Sequence, residues 1–157
     1  MKKIEIGFVS QIVKKAGNSP RKRTNFNYHE AFSDPINRML NAIEPGSYIQ
    51  PHKHESPDKR EVFLILSGRI AVIEFNNTGE IIDSVILDYQ TGIFGVEIPP
   101  GVWHMVISLE QGSVVYEIKD GPYRPIDDKN FASWAPKEGD KDAPEYLDKI
   151  IQKLKLQ

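Results

Sequence analysis

Cysteine is absent from the 157 residues, which removes disulfides, thiolate nucleophiles and cysteine-ligated zinc from consideration. Long hydrophobic runs are missing as well, and no apolar stretch approaches the roughly 18 residues of a membrane helix. The basic start, Met1-Lys2-Lys3 through Phe8, is not followed by the apolar region and small-residue cleavage site of a secretory signal. A cytoplasmic protein without membrane partners is therefore expected. Net charge is small, −2 from 20 Lys and Arg against 22 Asp and Glu, so nucleic acid is excluded as the main partner, because phosphate binding needs a sustained basic surface. The charge is unevenly spread: residues 1–23 hold seven Lys and Arg against one Glu, and residues 127–149 hold seven Asp and Glu against four Lys. These read as a solvated basic arm and an acidic tail. There is no G-x-S-x-G elbow, no P-loop and no dinucleotide-binding glycine fingerprint.

What is present is a globular composition, 39% hydrophobic and 27% charged, on a chain that suits a single domain over 1–157. Ile4, Phe8, Ile12 and Ala16 recur at helical spacing and predict an N-terminal helix over 4–16. Ser33-Asp34-Pro35 reads as the cap of a brief helix carrying Met39 and Leu40. From about residue 41 the pattern changes to short β-rich runs: 47–49, 62–66, 69–75, 81–87, 94–98, 105–109 and 114–119. They are closed by Ser67-Gly68, Asn76 to Gly79, Thr91-Gly92, Pro99 to Gly101 and Gln111-Gly112. Short strands with such punctuation predict an all-β antiparallel sandwich or barrel. Tyr146, Leu147, Ile150, Ile151 and Leu154 form the stripe of a C-terminal helix docked outside it. The predicted organisation is a helical and extended arm over 1–40, a β-barrel core over 41–120, and a proline-rich segment with its helix over 121–157.

Four histidines occur, His29, His52, His54 and His104. On a strand, His52 and His54 share one face. Glu61 opens an apolar strand beyond a polar loop, and His104 follows the tight turn Pro99-Pro100-Gly101. Imidazole nitrogens with a carboxylate oxygen suit one divalent ion, Fe, Zn, Mn or Ni, with a position left open for water or substrate. Glu55 and Asp58 lie in the loop between and are rivals to Glu61. Parity favours Glu61, which shares a face with Phe63 and Ile65.

Gly46, then His52-x-His54, then Glu61 and Gly68 resembles the first motif of the cupins, and Pro99-x-Gly101 followed by His104 resembles the second. The loop from His54 to Glu61 is longer than is usual there, Ile93 replaces the glycine that opens the second motif, and Ser108 stands where that motif ends in Asn. A narrower resemblance covers nearly the whole chain. Its residues are Pro20-Arg21-x-Arg23-x-Asn25-x-Asn27-x-His29, Arg38-Met39-Leu40, Pro45-Gly46-Ser47-Tyr48, Pro51-His52-x-His54, Trp103-His104, Glu117-x-Lys119-x-Gly121-Pro122-Tyr123 and Trp134-Ala135-Pro136. Together they are similar to the WbuC-type cupin-fold metalloproteins. The resemblance implies a six-stranded double-stranded β-helix core, a small jelly-roll barrel, with a bound divalent metal. It also implies an association with surface-polysaccharide gene clusters and a homodimer.

Around the metal, Arg21, Arg23, Asn25, Asn27 and His29 share one face of an extended segment, a row that suits a phosphate or a polyhydroxyl, sugar-like ligand or equally a solvated strand. Arg38 is a further candidate for binding or for an ion pair. Tyr48, Glu117 and His29 are the candidates for proton transfer. The reading is a metal-binding protein acting on a sugar or nucleotide-sugar intermediate, as an isomerase or epimerase with the metal as Lewis acid. The alternatives are an Fe(II)-dependent dioxygenase and a non-catalytic sugar-binding accessory protein.

Overall fold

A computed structural model describes residues 1–124 and 128–156; residues 125–127 and 157, inside the expected C-terminal segment, lie outside the described residues. Helix α1 (Ile6–Gly17) is followed by strands β1 (Arg23–Asn27), β2 (Ile36–Ile43), β3 (His52–Lys53), β4 (Glu61–Ser67) and β5 (Arg69–Phe75). Strands β6 (Ile81–Asp88), β7 (Gly95–Ile98), β8 (Trp103–Ser108), β9 (Ser113–Asp120) and β10 (Asn130–Phe131) come next, and α2 (Ala143–Lys153) ends the order. The described strands form two five-stranded sheets, β1-β2-β9-β4-β7 and β10-β3-β8-β5-β6, paired antiparallel throughout. This is the double-stranded β-helix of the cupins, mostly β with a helix near each end.

Strand alternation sorts the apolar residues into three layers. Between the sheets pack Ile43, Phe63, Ile65, Ile70, Val72 and Val106. Their opposite-parity neighbours Ala71, Ile73, Met105 and Ile107 face outward and receive Leu147 and Ile150 of α2. On the other outer face Leu40, Ala42 and Val114 receive Ile12 and Ala16 of α1. Each fully buried aliphatic side chain contributes about 1.5–3 kcal/mol, so both helices are held by their stripes rather than by helix propensity. No described helix is long and apolar enough to cross a membrane.

Three local expectations change. The segment Ile36–Ile43, expected to contain a brief helix, is a strand paired with β9 over all eight residues. That ladder satisfies the backbone of the whole segment, and the alternation serves two surfaces at once: Asn37, Met39, Asn41 and Ile43 line the interior cavity while Leu40 and Ala42 meet α1. The expected division at residue 40 consequently falls inside β2. Residues 47–49 form no strand, and α1 begins at Ile6.

Register builds the polar interior row by row. Asn37 pairs with Lys119, and Lys119 with Glu61. In the next inward row Asn27 pairs with Met39, Met39 with Glu117, and Glu117 with Phe63. Asn25, Asn41 and Val115 make the third. Hydrophilicity thus rises toward one end of the barrel, where the facing sheet carries His52 opposite His104.

Candidate metal centre

His52, His54, Glu61 and His104 are 1–3% exposed, and one ligand atom from each lies within 4.8 Å of all the others. His54 Nε2 stands 3.0 Å from Glu61 Oε1, and His104 Nε2 stands 3.0 Å from Glu61 Oε2. The remaining ring nitrogens explain why these atoms face inward. His52 Nδ1 donates to Gln50 O at 3.0 Å, His104 Nδ1 donates to Val102 O at 3.0 Å, and His54 Nδ1 donates to Asp128 O. A carbonyl only accepts, so each Nδ1 carries the proton and each Nε2 presents a lone pair to the centre. Gln50 is itself fixed by its amide, which donates to Ala132 O at 2.9 Å.

The charges agree with this picture. Burial lowers His52 well below the ordinary histidine value, helped by the positive charge of Lys129. Burial works to raise Glu61, but positive charge where His104 and His54 converge on it outweighs that and holds the carboxyl well below its usual range. A neutral His52 and an ionised Glu61 are protonation states that ligate a metal. His54 Nε2, Glu61 Oε2 and His104 Nε2 are buried without a hydrogen-bond partner. Converging lone pairs in a buried site are costly unless a cation lies between them. The four residues fit a divalent ion, and the N₃O donor set suits Fe, Zn, Mn or Ni. Glu55 is exposed and pairs with Lys53 at 2.5 Å, and Asp58 is exposed, so neither joins the cluster.

Beyond Glu61 runs a buried ionic chain. Lys119 Nζ lies 3.6 Å from Glu61 Oε1, 3.9 Å from Glu117 Oε1 and 2.7 Å from Asp128 Oδ2. Lys59, 1% exposed, reaches Asp128 Oδ1 at 2.7 Å and donates to Pro122 O at 2.6 Å. Burial alone would lower Lys119, but Glu117, Glu61 and Asp128 raise it. Glu117 accepts from the Asn41 amide. Burial and the Glu61 charge push Glu117 up to about 7.

A cavity of about 590 Å³ opens onto this centre, lined by His52 and Glu61 at its base and by Arg23, Asn25, Asn27 and His29 on its β1 side. The expected row from Arg21 to His29 therefore does line one wall. Its arginines are engaged there: Arg21 Nε and Arg23 Nη2 donate to Glu138 at 2.6 and 2.5 Å, and Arg23 also donates to Tyr48 O at 2.9 Å. Asn25 donates to Asn27 Oδ1 at 2.6 Å. His29 Nδ1 accepts from the Arg38 N–H at 3.2 Å.

Two candidates are placed elsewhere. Arg38 has the parity opposite to Asn37 and Met39, so it emerges on the outer face beside Asp34 and Tyr28 O. Tyr48 is buried on the α2 side, donating to Pro136 O at 2.7 Å and packing edge-on to Tyr146. Glu117 lines the cavity rather than facing outward. Sequence reasoning missed Asn37, Asn41, Lys59, Asp128 and Lys129. Strand parity across β2 would have found the two asparagines; no local signal marks a lysine in a polar loop as buried.

No curated protein matches the sequence. Among solved structures, the capsular polysaccharide assembling protein CapF from Staphylococcus aureus is similar over 68% of this chain at 23% identity, with a TM-score of 0.56. KdgF from Halomonas sp. is similar over 68% of this chain and 84% of its own, at 17% identity and a TM-score of 0.51. TT1209 from Thermus thermophilus is similar over 76% of this chain and 97% of its own, at 16% identity and a TM-score of 0.56. The chain spans less than a third of CapF, 28% of its length. At these identities the likeness is one of fold. The model of the family described as Domain of unknown function (DUF6016) matches residues 4–87, from α1 to the end of β6 but for its last residue, and the chain belongs to that family.

Proposed function

We propose that the chain is a metal-dependent, WbuC-type cupin acting on a sugar or nucleotide-sugar intermediate of surface-polysaccharide synthesis, by isomerisation or epimerisation. The observation that carries the reading is the junction of a four-residue ligand cluster with a cavity of about 590 Å³ walled by asparagines, histidine and carboxylates. Amides that both donate and accept suit a hydroxyl-rich ligand. The polysaccharide context is supported by the motif resemblance and by the description of CapF as a capsular polysaccharide assembling protein.

His52, His54, Glu61 and His104 would hold the metal, which when bound polarises a substrate carbonyl or hydroxyl oxygen as a Lewis acid. The chain's own residues orient the substrate and move its proton. Asn25, Asn27 and Asn41 present amides along one wall. Glu117, fixed by Asn41 and adjacent to Lys119, is the base. It takes a C–H proton beside a carbonyl and the electron pair moves onto the carbonyl oxygen. For isomerisation the adjacent hydroxyl then gives its proton to that oxygen while Glu117 returns its own to the former carbonyl carbon. For epimerisation a water on the opposite face protonates the original carbon and Glu117 returns its proton to the resulting hydroxide.

The test is solvent exchange. Metal-loaded protein incubated in D₂O with keto sugars and nucleotide sugars is expected to place deuterium beside the carbonyl, read by NMR. Glu117→Gln and His52→Ala should abolish it. Oxygen consumption with the Fe(II)-loaded protein would select a dioxygenase instead. Tight binding of an unchanged sugar would select an accessory protein.

A further inference from the structure

The Arg21–Arg23 pair is the anion-binding candidate that the sequence pattern offers, but Glu138 occupies both guanidinium groups. The cavity holds another cation. Lys129, half-buried, lines it between the Asp128 that anchors the ionic chain and the Asn130 that begins β10. Arg21, Arg23 and Lys119 each have a carboxylate partner. Lys129 has none among the described residues. Its ammonium is within electrostatic reach of Glu61, Glu117, Lys119 and Asp128, so it sits at the metal end of the cavity.

Asn37 is at the same end, paired directly with Lys119 across β2 and β9. It is 1% exposed, lines the cavity, and neither atom of its amide has a hydrogen-bond partner. A buried amide with an unused donor and an unused acceptor is costly to keep unless a ligand satisfies it. The charge balance points the same way. The lining includes four cations, Arg21, Arg23, Lys119 and Lys129, and four carboxylates, Glu61, Glu117, Asp128 and Glu138. With Glu117 ionised they cancel, so a divalent ion at the histidine cluster would leave the cavity about two charges positive.

We infer that the substrate is anionic, a sugar bearing a carboxylate or phosphate group, with that group seated at Lys129 and a hydroxyl of the same molecule on the Asn37 amide. The inference rests on the metal-site reading and names the substrate class for it. A neutral sugar would leave Lys129 unpaired in a half-buried site, whereas an oxyanion makes a charge-assisted hydrogen bond there.

Isothermal titration of the zinc-loaded protein with glucuronate, glucose 1-phosphate and glucose tests this, with metal content measured on every sample. At least one anionic probe should bind ten or more times as tightly as glucose, and the preferred probe tells carboxylate from phosphate. Lys129→Met should weaken that probe at least tenfold with metal content unchanged, and Lys129→Arg should restore most of the binding. Asn37→Leu should weaken all three probes. The inference is overturned if glucose binds as tightly as both anions, if Lys129→Met binds the anions like the parent, or if no anionic probe binds. Loss of metal from the parent would instead count against the metal centre, and Lys129-dependent anion binding to metal-free protein would still stand.

Discussion

Asp128→Asn is the substitution whose cost the structure specifies most closely. The Asp128 side chain is 4% exposed and lies 2.7 Å from both Lys59 and Lys119, themselves 1% and 5% exposed. Removing one member of a buried ion pair costs about 3–5 kcal/mol, chiefly because the other charge is left without compensation. Lys119 would keep Glu61 at 3.6 Å, whereas Lys59 would keep only the Pro122 carbonyl. The lower end, about 3 kcal/mol, therefore applies, and in a domain of this size it lowers Tm by about 6–12 °C. Lys59→Met is the asymmetric control. It leaves Asp128 paired with Lys119 and keeps the apolar stem, so the loss should stay under about 1.5 kcal/mol. Thermal unfolding followed by near-UV circular dichroism, at low and high salt, reads both. Salt should barely change the difference, because buried charges are poorly screened. An Asp128→Asn protein melting within about 2 °C of the parent, or a Lys59→Met protein melting below the Asp128→Asn protein, would refute the reasoning.

Other expectations follow from the same contacts. Glu138 is 37% exposed; burial works to raise it, but Arg21 and Arg23 outweigh that and hold it below the ordinary value. Its stabilisation is thus complete above an unfolded value of about 4.3 and fades as pH falls through the folded value. Glu138→Gln should cost under about 1 kcal/mol at neutral pH, and denaturant titrations should show the difference from the parent closing below about pH 4. Gly68 has φ +70°, and a Cβ there would sit 2.7 Å from Ser113 Cα. Gly68→Ala should therefore lose about 2 kcal/mol or more in urea unfolding. Tyr48→Phe removes the bond to Pro136 O, so calorimetry should show about 1 kcal/mol lost while metal content stays at the parent value.

The barrel was legible because its interior repeats every second residue, as Phe63 and Ile65 do, and because turn residues punctuate the short strands. The His52, His54, Glu61 and His104 cluster was legible for a different reason, since imidazoles are few and the turn before His104 is distinctive. Ile36–Ile43 misled because one face is polar for the cavity and the other apolar for α1, and its Asp-Pro entry imitates a helix cap. Arg38 kept two readings in the sequence, and its direction, toward Asp34 on the outer face, is set only once β2 is known to be a strand. The Lys59–Asp128–Lys119 chain was illegible, because its members lie 69 and 9 residues apart and only the closed barrel brings them together.

The central claim is that three imidazoles and Glu61 hold one divalent metal ion. Elemental analysis of protein purified without a histidine tag tests it most directly, comparing the parent with His52→Ala and Glu61→Gln after both variants are shown to fold by circular dichroism. Close to one metal per chain is expected in the parent, with a large loss in each variant. A folded parent that takes up no metal, or a His52→Ala protein that keeps the parent's content, would contradict it.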